Sequence, residues 1–248
     1  MDTKRLENAL QIQNSGHAAE ALSEFESLGD LASDPQEKST MLLGQASCLV
    51  QLGLFAEARE RWSQATACWR NLYADYIDLI LCDREGRGEE AIPKFSEFLS
   101  HRGELIETGD QNLYSDAAQR LGYLLFEAEQ YEDAIKPLSD AAETAETEAR
   151  RAKIKLYLGM CYIQVGNFRA AEQTLLESLP ADANDPLWPR VQFQRGSLYF
   201  QRGAYAQAKA VLEQFLLTDR VESDLSPHAS QLLAEVERRL ANEARRIV

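Results

Sequence analysis

The 248-residue chain has no apolar run approaching the roughly 18 residues of a membrane-spanning helix. Its opening MDTKRLENAL reads as a charged helix and not as a secretory leader, so a cytoplasmic protein is expected. Cysteine is scarce: Cys48, Cys68, Cys82 and Cys161 form no C-x-x-C pair and read as small buried hydrophobes, with no redox or metal role. The three histidines, His17, His101 and His228, lie far apart and give neither metal-ligand nor catalytic spacing. Paired carboxylates, a nucleophile beside a base and a phosphate loop are all missing, so no enzyme, cofactor or metal is expected. Gly (13) and Pro (7) are few against 45% hydrophobic residues, a balance that suits packed helices. Positive charge is also short. Residues 1–150 hold 29 carboxylates against 13 cations, a net of −16, whereas 151–248 hold 11 against 13, a net of +2. The first stretch should repel nucleic acid and anionic membranes. Its asymmetry suits a solvated face kept soluble by like charge or, as the sharper reading, a partner with a basic surface.

What the chain does have is a recurring phrase. In Leu156–Leu176, LYLGMCYIQVGNFRAAEQTLL, one helix carries Leu158, Gly159 and Tyr162 on a face, Gly166-Asn167 breaks it, and a second helix turns Ala171 and Leu175 inward. A glycine at the crossing, with an alanine opposite, lets two backbones approach closely. The same phrase ends in Ala21, Ala58, Ala91, Ala134, Ala171 and Ala208, spaced 37, 33, 43, 37 and 37 residues apart. Seven residues before each phrase stand Ala9, Ala46, Leu79, Gly122, Gly159 and Gly196, and three further on Ile12, Leu49, Cys82, Leu125, Tyr162 and Tyr199. One hairpin cannot bury its apolar stripe alone, so a regular period of this length implies units stacked on their neighbours.

The pattern resembles the tetratricopeptide repeat (TPR) superfamily, with its W-x2-L-G-x2-Y first helix and G-x-[YF]-x-x-A second helix, over residues 2 to about 222. The third unit departs most, with Leu79 and Gly88 where the motif has glycine and an aromatic, and the family's terminal proline is mostly missing. The resemblance implies an all-α, right-handed superhelical solenoid of about six hairpins in one domain over 1–248. The repeats are expected at about 2–30, 36–70, 72–101, 111–146, 149–180 and 187–219, and a capping helix at 226–248. Asp34-Pro35, Asp185-Pro186 and Ser226-Pro227 read as N-cap and first-turn proline. Pro93 is placed in the first turn of its helix, where no N–H is missed. Trp62 reads as core, Trp69 as facing the next hairpin, and 101–114 as an insertion on one face.

In that architecture the first helices pave the concave wall. The register gives Leu43 and Ser47; Tyr73, Tyr76 and Ile80; Gln119, Tyr123 and Phe126; Lys153, Leu156, Met160 and Ile163; and Arg190, Phe193, Ser197 and Phe200. A contiguous aromatic and aliphatic stripe of this kind marks an interaction site. If the superhelix is tight, or the chain folds back, the same side chains are core. The carboxylate clamp of chaperone-adaptor TPR domains is not matched: Leu6, Leu10, Gly44, Tyr73 and Ile77 occupy its positions, and Arg120, Lys153 and Arg190 are isolated cations. The expected function is a non-catalytic scaffold that binds a helix or extended apolar segment of another protein. The alternatives are self-association, or a regulatory domain that senses a peptide or small ligand.

Overall fold

The computed structural model describes residues 3–101, 103, 111–218 and 224–247. Among them are thirteen α-helices and no strand. They fall into two compact units, 1–117 and 118–248. The first unit holds α1 (Thr3–Asn14), α2 (Ala18–Gly29), α3 (Pro35–Gln51), α4 (Phe55–Cys68), α5 (Leu72–Arg84) and α6 (Gly88–Ser100), and α7 (Gln111–Glu127) runs across the division. The second continues with α8 (Tyr131–Thr144), α9 (Glu148–Gln164), α10 (Phe168–Glu177), α11 (Leu187–Gln201), α12 (Tyr205–Thr218) and α13 (Ser226–Ile247). No helix among the described residues is long and apolar enough to cross a membrane.

The recurring phrase encodes a helix stop. In five hairpins the first helix ends on a glycine with φ between 74° and 85°, a left-handed conformation in which a Cβ is strained. At Gly53 the glycine N–H returns to Val50 O at 3.1 Å and the next N–H, of Leu54, to Leu49 O at 2.9 Å. This pair of bonds satisfies the last carbonyls of the helix and aims the chain back along it. The hairpin of α7 and α8 makes the same pair of bonds, Glu129 N–H to Phe126 O and Gln130 N–H to Leu125 O, but with a glutamate at φ 58°.

Starts are written as clearly. The Asp34 carboxylate accepts the N–H groups of Gln36 and Glu37 at 2.8 and 2.9 Å with Pro35 at the first helical position, Asn71 caps α5 through Ala74 N–H at 2.9 Å, and Thr147 caps α9. Pro93 is not in a first turn. It is the sixth residue of α6, which starts as early as Gly88, so its ring removes an interior hydrogen bond.

Close approach between paired helices rests on small residues, but the partner of Gly159 is Leu175 and not an alanine. A Cβ built on Gly159 would lie 2.7 Å from Leu175 Cδ2; Gly122 meets Leu138 at 2.5 Å and Gly196 meets Leu212 at 2.6 Å. In the first unit Gly44 of α3 meets the Phe25 ring of α2 at 2.5 Å. Leucine wins because its branched tip fills the space that the absent side chain leaves, while Ala171 is buried at another level of the same face. Cys48, Cys82 and Cys161 are fully buried, and burial pushes the Cys48 and Cys161 thiols up to about 12. Trp62 is half-buried and its indole N–H donates to Ala74 O at 2.7 Å, fastening α4 to α5, whereas Trp69 is half exposed. At the far end α13 lays Ala229 and Val236 on Trp188, Val211 and Phe215, covering the apolar side of the last hairpin.

Candidate functional site

The first-unit members of the expected stripe are taken up by packing. Leu43 and Ile80 are buried, which corrects their placement on an open wall: α3 and α5 pack directly on each other, and Leu43 lies in the apolar core they share. Tyr73 stacks on Tyr76 with ring centroids 6.2 Å apart, and burial pushes its phenol up. Tyr76 also lies 6.2 Å from Phe98 and donates its hydroxyl to Asp116 at 2.5 Å. Ser47 accepts from the buried Gln13 amide at 2.7 Å.

Around them runs a set of linked charges. The Arg59 guanidinium meets both Glu85 oxygens at 2.9 and 3.0 Å and Asp78 at 3.0 Å, and lies 5.8 Å from the Trp62 ring centroid. Lys94 reaches Asp78 at 3.2 Å and Glu90 at 2.9 Å, and Arg87 bridges Glu85 and Glu90. The hydrogen bonds from Arg59 hold the Glu85 carboxyl below its usual value. These contacts join α4, α5 and α6 and leave their side chains engaged.

In the second unit the stripe opens. A groove of about 820 Å³ is lined by Phe126 from α7, by Lys153, Leu156, Tyr157 and Met160 from α9, and by Arg190 from α11, with the α10–α11 connection closing one side. Five of the residues named from sequence therefore meet at one place. Leu156, only 4% exposed, is its floor, and Met160 is half-buried beside it. Lys153 and Arg190 are exposed.

The wall behind the floor is aromatic. Phe126 stands edge-on to Tyr157 at 5.2 Å and to Tyr131 at 5.4 Å, and Tyr123 lies 4.4 Å from Tyr157. The Tyr123 hydroxyl is buried within electrostatic reach of Gln119 but meets no hydrogen-bond geometry, and burial pushes it up to about 12. Gln119 instead accepts from Arg150 at 2.6 Å.

Other expected members lie elsewhere. Ile163 is buried in the core of the α9–α10 hairpin, a correction to its placement on the wall, because it sits two turns beyond Leu156, where α11 packs against α9. Phe193 is half-buried on the core beneath α13, and Phe200 packs on Tyr205 at 5.8 Å inside its own hairpin. Ser197 is half-buried.

Sequence reasoning missed Tyr157 and Gln194, which line the groove one turn beyond Lys153 and Arg190. That i, i+4 step was the available signal. It also missed Leu179, Pro180 and Leu187, because nothing in a repeat pattern says which way a connection leans.

The groove's charges are not equivalent. Glu148 pairs with Arg151, Glu177 with Lys155 at 2.8 Å, and Asp185 accepts the Leu187 N–H at 2.8 Å. Lys153 and Arg190 have no ion pair or hydrogen bond among the described residues.

Two family models, each described as tetratricopeptide repeat, match residues 125–194 and 189–221. No curated protein matches the chain. Among solved structures, BtubC (BKLC) from P. vanneervenii superposes with a TM-score of 0.60 at 18% identity, covering 82% of this chain and 88% of that one. A tetratricopeptide repeat protein from Parabacteroides merdae gives 0.55 at 16% identity, over 96% and 92%. At such identities the likeness is one of fold.

Proposed function

Since the chain belongs to the tetratricopeptide repeat superfamily, we propose that it is a non-catalytic protein-interaction scaffold whose second unit receives a helix or short extended segment of another protein. The observation that carries this is the groove itself: an apolar floor of Leu156 and Met160 beside the Phe126 and Tyr157 rings, open to solvent and large enough for several side chains. Aromatic and aliphatic anchors of this kind contribute roughly 1.5 to 3 kcal/mol each when buried, before ordering costs are subtracted. Helix-in-groove recognition uses that chemistry.

The test is affinity capture with the intact chain and with a Phe126→Ala, Met160→Gln double variant, both shown to be folded by circular dichroism. Partners held by the groove are retained by the first and lost by the second. Identical partner sets would remove the groove from the proposal.

A further inference from the structure

We infer that α13 completes the second-unit groove as well as capping the last hairpin, and that its docking is coupled to the groove's occupation: an occupant holds the helix down, and a displaced helix weakens the site. This rests on the groove reading above and adds the regulation of that site.

Groove and helix share side chains. Leu225, immediately before α13, lines the groove and packs against the core that Trp188, Val211, Phe215, Ala229 and Val236 form beneath that helix. Leu179, from the α10–α11 connection, lines the groove and packs against the same core. On α11 the groove residues Leu187 and Arg190 flank Trp188 in sequence, and Trp188 is 6% exposed with its ring centroid 6.4 Å from that of Phe215. Along this wall the groove and the seat of α13 are therefore two sides of one layer. When α13 leaves, Trp188 and Val211 lose their cover, and Leu179 and Leu225 lose the packing that fixes them.

The docked helix is held lightly for its length. Of its described side chains only Ala229 and Val236 are fully buried, and the Lys209–Glu237 pair that ties it to α12 at 2.7 Å is exposed. Elements with few buried apolar contacts open at less than the cost of global unfolding. An occupant shifts such an opening only by binding the two forms unequally, and the wall of Leu179 and Leu225 is intact in the docked form alone. Linkage makes the effect mutual: whatever factor docking adds to affinity, occupation adds to docking.

The experiment uses the intact chain and the strongest binder selected on it from a library of short random peptides. Fluorescence anisotropy measures that peptide on wild type, on the Phe126→Ala, Met160→Gln variant, and on Val236→Asp, which unseats α13 without touching the groove lining. Hydrogen exchange follows the α13 amides of wild type with and without peptide. In the free protein they should exchange faster than those of α9. Affinity for Val236→Asp should fall about tenfold, and saturating peptide should slow α13 exchange in wild type by the same factor.

Equal affinity for wild type and Val236→Asp, or α13 exchange indifferent to the peptide, overturns the coupling and leaves the groove in place. So does α13 exchange no faster than that of α9, since the helix then opens only with the whole unit. Should circular dichroism show that Val236→Asp does not fold, exchange on wild type decides alone. Binding untouched by Phe126→Ala with Met160→Gln moves the site off the groove and removes both readings, as does the failure of any peptide to be enriched.

Discussion

The two units are built from the same phrase and use its polar and aromatic residues in opposite ways. Residues 1–117 carry 10 cations against 21 carboxylates, a net of −11, and 118–248 carry 16 against 19, a net of −3. Where cations are scarce, as around Arg59 and Lys94, each holds two carboxylates, and the tyrosines of α5 stack on one another and bond inward. Where they are nearly balanced, carboxylates and cations pair off locally, and beside an aromatic wall Lys153 and Arg190 have no ion pair among the described residues. A repeat motif therefore specifies the hairpin and says little about its outer face, which depends on what each neighbour contributes.

If the units differ only in their surfaces, core substitutions must hurt both alike, and by more than anything done outside. Gly44→Val and Gly159→Val each press a side chain into a neighbour that a Cβ alone would approach to 2.5 and 2.7 Å. Each should lower stability by about 3 kcal/mol, the upper part of the overpacking range. Urea unfolding of both variants checks this. A loss at one site only would mean that the packing rule is not shared.

Next in size is the charged lattice of the first unit. Arg59 is one-third exposed and its carboxylate partners less so, so Arg59→Ala should cost about 1 to 2 kcal/mol, between exposed and buried pairs. The Glu85 carboxyl is held below 4.5 in the folded chain by Arg59. A depressed carboxyl stabilises above its unfolded pKa and loses that contribution as pH falls through its folded value. The stability difference between wild type and Glu85→Gln should accordingly be full at pH 6, begin to shrink near 4.5 and be lost only once pH has fallen through the lower folded-state value. A difference that stays constant across that descent would show that Glu85 acts through packing.

How much of this was written in the sequence follows from what each part depends on. Hairpin turns, caps and glycine crossings are set within about forty residues, and Gly53, Asp34 and Gly159 announced them. The face of each first helix depends instead on how far the neighbouring hairpin leans in. Leu43, Ile80 and Ile163 obeyed the register and were buried anyway, while Phe126, Lys153, Leu156, Met160 and Arg190 came together at the groove. The length of α6 was hidden because Glu89, Glu90 and Ala91 tolerate a helix that starts before Pro93. The insertion at 101–114 lies mostly outside the described residues.

A smaller effect tests the turn of the second unit. Glu129 occupies a left-handed backbone position that five other hairpins fill with glycine. Relief of that strain outweighs the extra freedom glycine gives the unfolded chain, so Glu129→Gly should stabilise by about 1 kcal/mol. A rise of a few degrees in Tm checks it. A fall would mean that the glutamate side chain contributes more than its backbone strain costs.

The smallest expected effect sharpens the contrast between the units most. Lys153 and Arg190 hold no ion pair among the described residues, and both are exposed, so Lys153→Ala and Arg190→Ala should each leave stability within about 0.5 kcal/mol of wild type. Arg59 and Lys94 tie α4, α5 and α6 together, and Lys153 and Arg190 tie nothing among the described residues. If either alanine variant lowers the urea midpoint as far as Arg59→Ala does, its charge serves the fold and is not in reserve for a partner.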